Sequence, residues 1–178
     1  ERAIDAETVL RALNALTPLD VTIRTVDVVG EDFDPRRHAR RRVYDYRIWN
    51  ERFASPFWRR YAWHVARPLD LEAMRRAATV LIGEHDFSAL QAADCDAENP
   101  VRRISRSELS KQGSLVTYQV EATAFLRHMV RTIVGTLVEI GLGDRPPNEM
   151  IRLLQSRDRG QAGPTAPAHG LCLTRVDY

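Results

Sequence analysis

The segment E-A-T-A-F-L-R-H-M-V-R-T-I-V-G-T-L-V-E-I-G, from Glu121 to Gly141, has a clear apolar periodicity. At about 100° per residue, its large apolar side chains fall on one broad arc, and only Val138 lies outside it. Such a stripe is typical of an amphipathic helix that packs one face on a core. We therefore expect one long helix here, around which the rest of the fold is arranged.

The opposite face of this predicted helix has an unusual composition. Arg127, Arg131 and Gly135 are spaced four residues apart, so they form one line along the helix. A glycine inside a helix costs about 0.5–1 kcal/mol relative to alanine. Two interpretations are open. Either the arginines are solvated and Gly135 admits another element of the fold, or Arg131 is an anchored charge beside a functional pocket.

The remaining patterns predict a mixture of helices and strands without strict alternation. Residues 101–109 and 114–124 form a predicted hairpin around Gly113. Asp5 and Asp70 are expected to cap helices, and a shorter helix follows Pro147. Strands are predicted at 21–29, 42–49, 60–65 and 171–176, with a turn at 83–87. The class is therefore α+β, with an antiparallel sheet and helices packed on one face.

Residues 36–60 combine positive charge with aromatic rings. This segment has nine arginines and two acids, and its strand places Tyr44 and Tyr46 on one face. One interpretation is a surface strand whose tyrosines are good strand formers. The other is nucleic-acid contact, since arginines beside stackable rings are common in proteins that bind unpaired bases. The composition favours nucleic acid.

The composition also limits the cellular compartments and the kinds of site that the sequence is compatible with. The formal net charge is +2, and Lys111 is the only lysine among 26 basic residues. Cys95 and Cys172 lie far apart, which argues against zinc and disulfides and favours a reducing cytosol. We see no bilayer-spanning run, signal peptide, metal-ligand cluster or phosphate-binding glycine loop. Because the chain begins at Glu1, we expect it to be a piece of a longer protein.

Four motifs, in order, resemble those of the TruA-type tRNA pseudouridine synthases. R-R-V-Y-D-Y-R-I-W-N, residues 41–50, resembles the family strand R-x-Y-x-Y-x-I/L. G-E-H-D-F, residues 83–87, is similar to its G-x-H/N-D-F turn. T-A-F-L-R-H-M-V-R-T-I-V-G, residues 123–135, is similar to its helix signature. A-G-P-T-A-P-A-H-G-L, residues 162–171, resembles its C-terminal signature.

This resemblance implies a fold and a reaction. The expected pseudouridine synthase fold has two α+β halves that share one sheet. Here residues 1–40 would be the trailing part of the first subdomain, and residues 41–178 the second. The family isomerises uridine to pseudouridine in the tRNA anticodon stem-loop, at positions 38, 39 and/or 40, without a cofactor. The resemblance also implies a cytoplasmic homodimer. This dimer would bind the anticodon arm of tRNA and would not bind a membrane.

The resemblance also implies roles for individual residues. Arg131 matches the arginine that pairs with a nucleophilic aspartate, and Tyr44 matches the tyrosine that packs against the target base. Two further groups complete the expected site. Phe125, Leu126 and Met129 would form an apolar wall, and Arg41 and Arg42 would contact phosphate. No metal ligand is implied.

The family's nucleophile motif, G-R-T/S-D-x-G-V-H, does not occur in this sequence. Its spacing from Tyr44 in the family would place the aspartate upstream of Glu1. We therefore expect the sequence to match only the C-terminal two thirds of the family and to be inactive alone. The alternative is a non-catalytic RNA-binding module of the same fold.

Overall fold

The computed structural model describes residues 5–178 and divides into two compact units, one ending at His38 and one running from Ala39 to Tyr178. In the first unit, helix α1 spans Ala6–Leu16. The backbone N–H of Thr8 donates to Asp5 Oδ1 at 2.8 Å, which confirms the predicted cap. The predicted subdomain boundary between residues 40 and 41 stays a prediction.

The strand predicted at residues 21–29 is wrong, because this segment has no regular secondary structure. The backbone of Ile23 is instead held by a side chain. Asn14 Nδ2 donates to the Ile23 carbonyl at 2.9 Å, and the Ile23 N–H donates to Asn14 Oδ1 at 2.9 Å. This amide occupies the groups that a neighbouring strand would pair with.

The second unit is a six-stranded sheet with three helices, α2 at Leu71–Thr79, α3 at Met129–Gly141 and α4 at Glu149–Ser156. The strands are β1 Arg41–Asn50, β2 Trp63–Val65, β3 Gly83–Asp86, β4 Val101–Gln112, β5 Leu115–Ala122 and β6 Leu171–Asp177. They are ordered β2-β1-β5-β4-β3, and β6 also pairs with β1. The α+β class is confirmed.

All strand pairs are antiparallel except β1 with β2, which run parallel from Ile48 to Asn50. The strand predicted at 60–65 is shorter than expected, because only Trp63–Val65 form β2. The predicted turn at 83–87 is wrong as well, because Gly83–Asp86 pair with the start of β4 as strand β3. A short strand of mixed composition has no alternating apolar pattern, so its pairing is not visible locally.

The core lies between one face of the sheet and the helices. Residues of β5 alternate between buried and half-buried, and Val116, Tyr118, Val120 and Ala122 form its buried face. Tyr46 in β1 lies opposite Tyr118 and is also completely buried. Helices α2 and α3 add Met74, Ala77, Ile133 and Leu137 to the same cluster. This packing is what holds β1 and α3 in fixed positions.

Helix α3 begins at Met129, eight residues later than the apolar pattern predicts. Glu121 and Ala122 belong to β5, because their backbones pair with β1. His128 then has a left-handed backbone with φ of 60°, which a helix interior does not contain. Phe125, Leu126 and Arg127 therefore lie in the connection between strand and helix.

Helix α3 is also buried on nearly all sides. Thr132, Gly135, Thr136 and Val138 are buried together with the apolar stripe. A helix covered on all sides lies inside the fold rather than at its surface. The face that carries Gly135 is covered by another part of the chain.

Within residues 5–178, no helix has both the length and the apolar character needed to cross a bilayer.

Candidate active site

Arg131 lies in the first turn of α3 and is fastened to the segment 162–170, here called the C-terminal loop. Its Nε donates to the Ala166 carbonyl at 2.6 Å, and the Ala166 N–H donates to the Arg131 carbonyl at 3.1 Å. Of the three guanidinium nitrogens of Arg131, Nε alone has a hydrogen-bond partner within the described part of the chain. This contact orients the half-buried guanidinium and leaves both Nη groups for an anion.

The C-terminal loop packs directly on the glycine of the same helix. A Cβ built on Gly135 would lie 1.7 Å from the Pro164 carbonyl oxygen, which is far inside van der Waals contact. Next to it, the Gly163 N–H donates to Thr136 Oγ1 at 3.1 Å. The interpretation that Gly135 admits another element of the fold is confirmed. Arg131, by contrast, is not simply solvated.

Tyr46 holds the loop from the strand side. Its hydroxyl donates to the Pro167 carbonyl at 2.6 Å, and a Cβ on Gly170 would lie 2.7 Å from its Cζ atom. Burial raises the pKa of Tyr46, and the nearby positive charge of Arg131 opposes that rise. The hydroxyl therefore keeps its proton and remains a donor. Residues 166 and 167 are thus held by Arg131 on one side and Tyr46 on the other.

Tyr44 lies two residues before Tyr46 on β1 and packs against Phe125. Their ring centroids are 5.1 Å apart with an interplanar angle of 88°, an edge-to-face contact. Both rings are half-buried, so each keeps an accessible part. The contact fixes the orientation of Tyr44 from the connection that precedes α3.

The other two predicted wall residues lie deeper. Leu126 is 4% exposed and Met129 is fully buried, so both belong to the core beneath the site. They can support Phe125, but a ligand would not touch them in this arrangement. Their role as part of a wall stays a prediction.

The two predicted phosphate contacts are engaged within the chain. Arg41 Nε donates to Asp177 Oδ2 at 2.7 Å, and its Nη1 lies 3.4 Å from Glu121 Oε1. The pKa of Arg41 is raised, chiefly by the hydrogen bond to Asp177. Arg42 Nη1 donates to the Thr123 carbonyl at 2.7 Å. Both arginines anchor β1, and contact with phosphate stays a prediction for them.

Sequence reasoning missed Tyr46 and the Ala166 carbonyl. Tyr46 was visible as the second tyrosine of an alternating strand, but its loop partner is 121 residues away. Carbonyl acceptors leave no trace in residue identity, so the orientation of Arg131 was not predictable. In the described residues, no group of three or more histidine, cysteine or acidic side chains is placed to hold a metal ion.

Comparison with known proteins matches this sequence to one family. The model of the PseudoU_synth_1 family, tRNA pseudouridine synthase, matches residues 77–178. The chain is 48% identical over 178 residues to tRNA pseudouridine synthase A of Myxococcus xanthus, covering 99% of this chain and 67% of that protein. It is 42% identical to the protein of the same name from Bordetella avium, covering 97% and 65% respectively. The chain thus spans about two thirds of the length of these relatives.

Proposed function

The chain belongs to the tRNA pseudouridine synthase family, and we propose that it forms the arginine-bearing part of an enzyme that isomerises uridine to pseudouridine in tRNA. The observation that supports this most is the arrangement of Arg131. Its Nε is held by the Ala166 carbonyl at 2.6 Å, while its Nη groups have no hydrogen-bond partner among the described residues. An arginine oriented in this way is prepared to bind a carboxylate with two parallel hydrogen bonds.

The proposed partner of Arg131 is the nucleophilic aspartate, which this sequence does not contain. The reaction breaks the bond between uracil and ribose, turns the base, and rejoins it through carbon, so the product is an isomer of the substrate. An ionised carboxylate in a partly dry pocket is costly unless it is paired. Arg131 would neutralise the aspartate and hold it in position.

Tyr44 is proposed to pack against the target base. The edge-to-face contact with Phe125 supports this role, because a ring held from one side offers a fixed surface on the other. The target uridine must leave its stack, which costs a few kcal/mol, and contact with an aromatic ring compensates part of this. We propose uridines 38, 39 and/or 40 of the anticodon stem-loop as targets.

The proposed partner is tRNA, bound through its anticodon arm. The support is the excess of arginine over acid between residues 36 and 60. Arg41 and Arg42 would contribute by positioning β1 and by the exposed part of the Arg41 side chain. A homodimer is proposed from the family resemblance alone, and a cytoplasmic location from that resemblance together with the wide spacing of Cys95 and Cys172.

The test replaces Arg131 by alanine in the protein extended upstream to include the nucleophile motif. We expect pseudouridine formation to fall at least about a hundredfold, because removing one partner of a buried ion pair costs about 3–5 kcal/mol. Binding of tRNA should change by only a few fold. Arg127→Ala is the matched control, since Arg127 lies four residues earlier, in the connection before α3, and pairs at the surface with Asp94.

Equal losses of binding and turnover in Arg131→Ala would contradict the proposed role and indicate a phosphate contact or an architectural one. The 178-residue chain alone should form no pseudouridine, and turnover by it would contradict the assignment of an external nucleophile. Normal tRNA binding by an extended protein that never turns over would favour the RNA-binding module instead.

A further inference from the structure

All three tryptophans of the chain, Trp49, Trp58 and Trp63, line one cavity of about 220 Å³. Trp49 is the penultimate residue of β1, Trp63 begins β2, and Trp58 lies in the segment between these strands. The other lining residues are Ala54, Ser55, Arg59, Ala62, His64 and His169. The three tryptophans are half-buried, and Ala54 and Arg59 are exposed, so the cavity opens to solvent between aromatic walls.

The walls of this tryptophan cavity are held in place by hydrogen bonds to the backbone. Trp49 Nε1 donates to the Phe53 carbonyl at 3.0 Å. His64 Nε2 lies 2.8 Å from the Glu51 carbonyl, and His169 Nε2 lies 3.2 Å from the Ala62 carbonyl. The ring orientations of Trp49, His64 and His169 are therefore fixed around the cavity.

The chain segments that form the cavity carry arginines and few acids. Arg59 lines it, and Arg47 and Arg60 lie close in sequence to its walls. Within the described part of the chain, none of these three guanidinium groups has a hydrogen bond or an ion pair. The one carboxylate between residues 46 and 69 is Glu51, which accepts hydrogen bonds from Ser114 Oγ at 2.9 Å and the Arg52 N–H at 3.0 Å. No carboxylate lines the cavity.

We propose that the tryptophan cavity binds one unpaired base of the RNA, with the adjoining phosphate on Arg59. Aromatic walls with one arginine among them, Arg59, suit a planar ring that carries an anionic group. Trp49 follows Tyr44 by five residues on β1, or roughly 17 Å at the rise of a strand. The base in the cavity is therefore a different nucleotide from the one at Tyr44. This inference rests on the proposed function for the identity of the polymer as tRNA.

Intrinsic tryptophan fluorescence tests the proposal directly, because every tryptophan of the chain lines the cavity. The 178-residue chain is titrated with uridine 5′-monophosphate, adenosine 5′-monophosphate and tRNA, and fluorescence is recorded. Ribose 5-phosphate is the control ligand, since it has the anion without the base. Binding of labelled tRNA is followed separately by anisotropy, so occupancy of the cavity and binding of tRNA are measured independently.

We expect both mononucleotides and tRNA to quench the fluorescence, while ribose 5-phosphate leaves it unchanged. Trp58→Leu should weaken tRNA binding about five- to a hundredfold, the range for loss of one stacked base. Arg59→Ala should weaken mononucleotide binding and keep all three tryptophans as reporters. Phe57→Leu is the matched control, because Phe57 is 86% exposed beside Trp58 and does not line the cavity.

Anisotropy showing tRNA bound without any quenching would overturn the tryptophan cavity and leave the proposed function intact. Quenching that depends on protein concentration alone would mean that a second copy covers the cavity, and would also overturn it. A failure of tRNA to bind at all would count against both proposals. If Trp58→Leu and Phe57→Leu weakened tRNA binding equally, Trp58 would contribute no more than an exposed aromatic ring outside the cavity. That result would overturn the proposed site.

Discussion

Thr132 and Thr136 lie one turn apart on α3 and are both completely buried, but their hydroxyl groups differ in hydrogen bonding. Thr136 Oγ1 donates to the Thr132 carbonyl at 2.9 Å and accepts from the Gly163 N–H at 3.1 Å. Thr132 Oγ1 has no partner among the described residues. The two positions therefore separate the effect of a satisfied buried hydroxyl from that of an unsatisfied one.

Thr136→Val should lower the free energy of unfolding by about 1–3 kcal/mol, because it leaves the Gly163 N–H buried without an acceptor. Thr132→Val should be neutral or slightly stabilising, because it removes a hydroxyl that has no partner. Both changes keep the β-branched shape, so packing is nearly constant. Urea unfolding of the two variants measures the difference, and the reverse order would contradict the hydrogen-bond assignment.

At this scale, the sequence predicted some features of the site and not others. The spacing of Arg131 and Gly135 indicated a special helix face, and the contacts with the C-terminal loop agree. Tyr46 was not predicted as part of the site, because its partner is a backbone carbonyl distant in sequence. Periodicity shows which side chains share a face, but it does not show which peptide group they meet.

Helix α3 and the C-terminal loop pack against each other, and they approach most closely at Gly135. Replacing a helical glycine by alanine normally stabilises by about 0.5–1 kcal/mol. At Gly135 the sign should reverse, because the new Cβ would meet the Pro164 carbonyl at 1.7 Å and the obstacle is backbone. We expect a net loss of about 1–3 kcal/mol, as for other overpacked sites, together with lower turnover as Ala166 moves away from Arg131.

Gly113→Ala is the control for Gly135→Ala. Gly113 lies in the turn between β4 and β5 with φ of 59°, and an added Cβ would meet nothing within 4 Å. Its cost should come from the backbone conformation alone and leave turnover unchanged. Urea unfolding and pseudouridine formation are measured for both variants, and a Gly135→Ala protein as stable and active as the parent would contradict the close contact.

Element boundaries were the least predictable feature, and each miss has a cause in hydrogen bonding. The helix was expected from Glu121, but pairing with β1 keeps residues 121 and 122 in β5. Residues 83–86 lack an apolar pattern, yet β4 gives them partners. Elements with their own signals, such as the Asp70 cap and the hairpin at Gly113, are confirmed. Local signals specify caps and turns, whereas strand ends depend on a distant partner.

Across the whole second unit, Asp177 joins the end of β6 to β1. Its carboxylate accepts from Arg175 Nε at 2.6 Å and from Arg41 Nε at 2.7 Å. The hydrogen bond from Arg175 is the main cause that lowers the pKa of Asp177 below its ordinary value of 3.8. A lowered carboxyl pKa contributes stability above that value, and the contribution disappears as the pH falls through the folded-state pKa.

We therefore expect the free energy of unfolding to fall as the pH drops from about 5 to below 3.8, and Asp177→Asn to remove part of that fall. Urea unfolding at several pH values measures it. High salt is the control, because these partly exposed ion pairs are screened. Identical pH profiles for the variant and the parent would mean that Asp177 contributes nothing to the acid sensitivity.

Two strands pair with the same edge of β1. β6 pairs along Arg41–Tyr46 and β2 pairs along Ile48–Asn50. β6 and the C-terminal loop come from residues 162–177, yet they flank the strand of Tyr44 and hold the guanidinium of Arg131. The ribosome makes both of those residues well before this segment. The site is therefore assembled only after residues 162–177 have been made, and a nascent chain that has exposed Tyr44 and Arg131 still lacks their alignment.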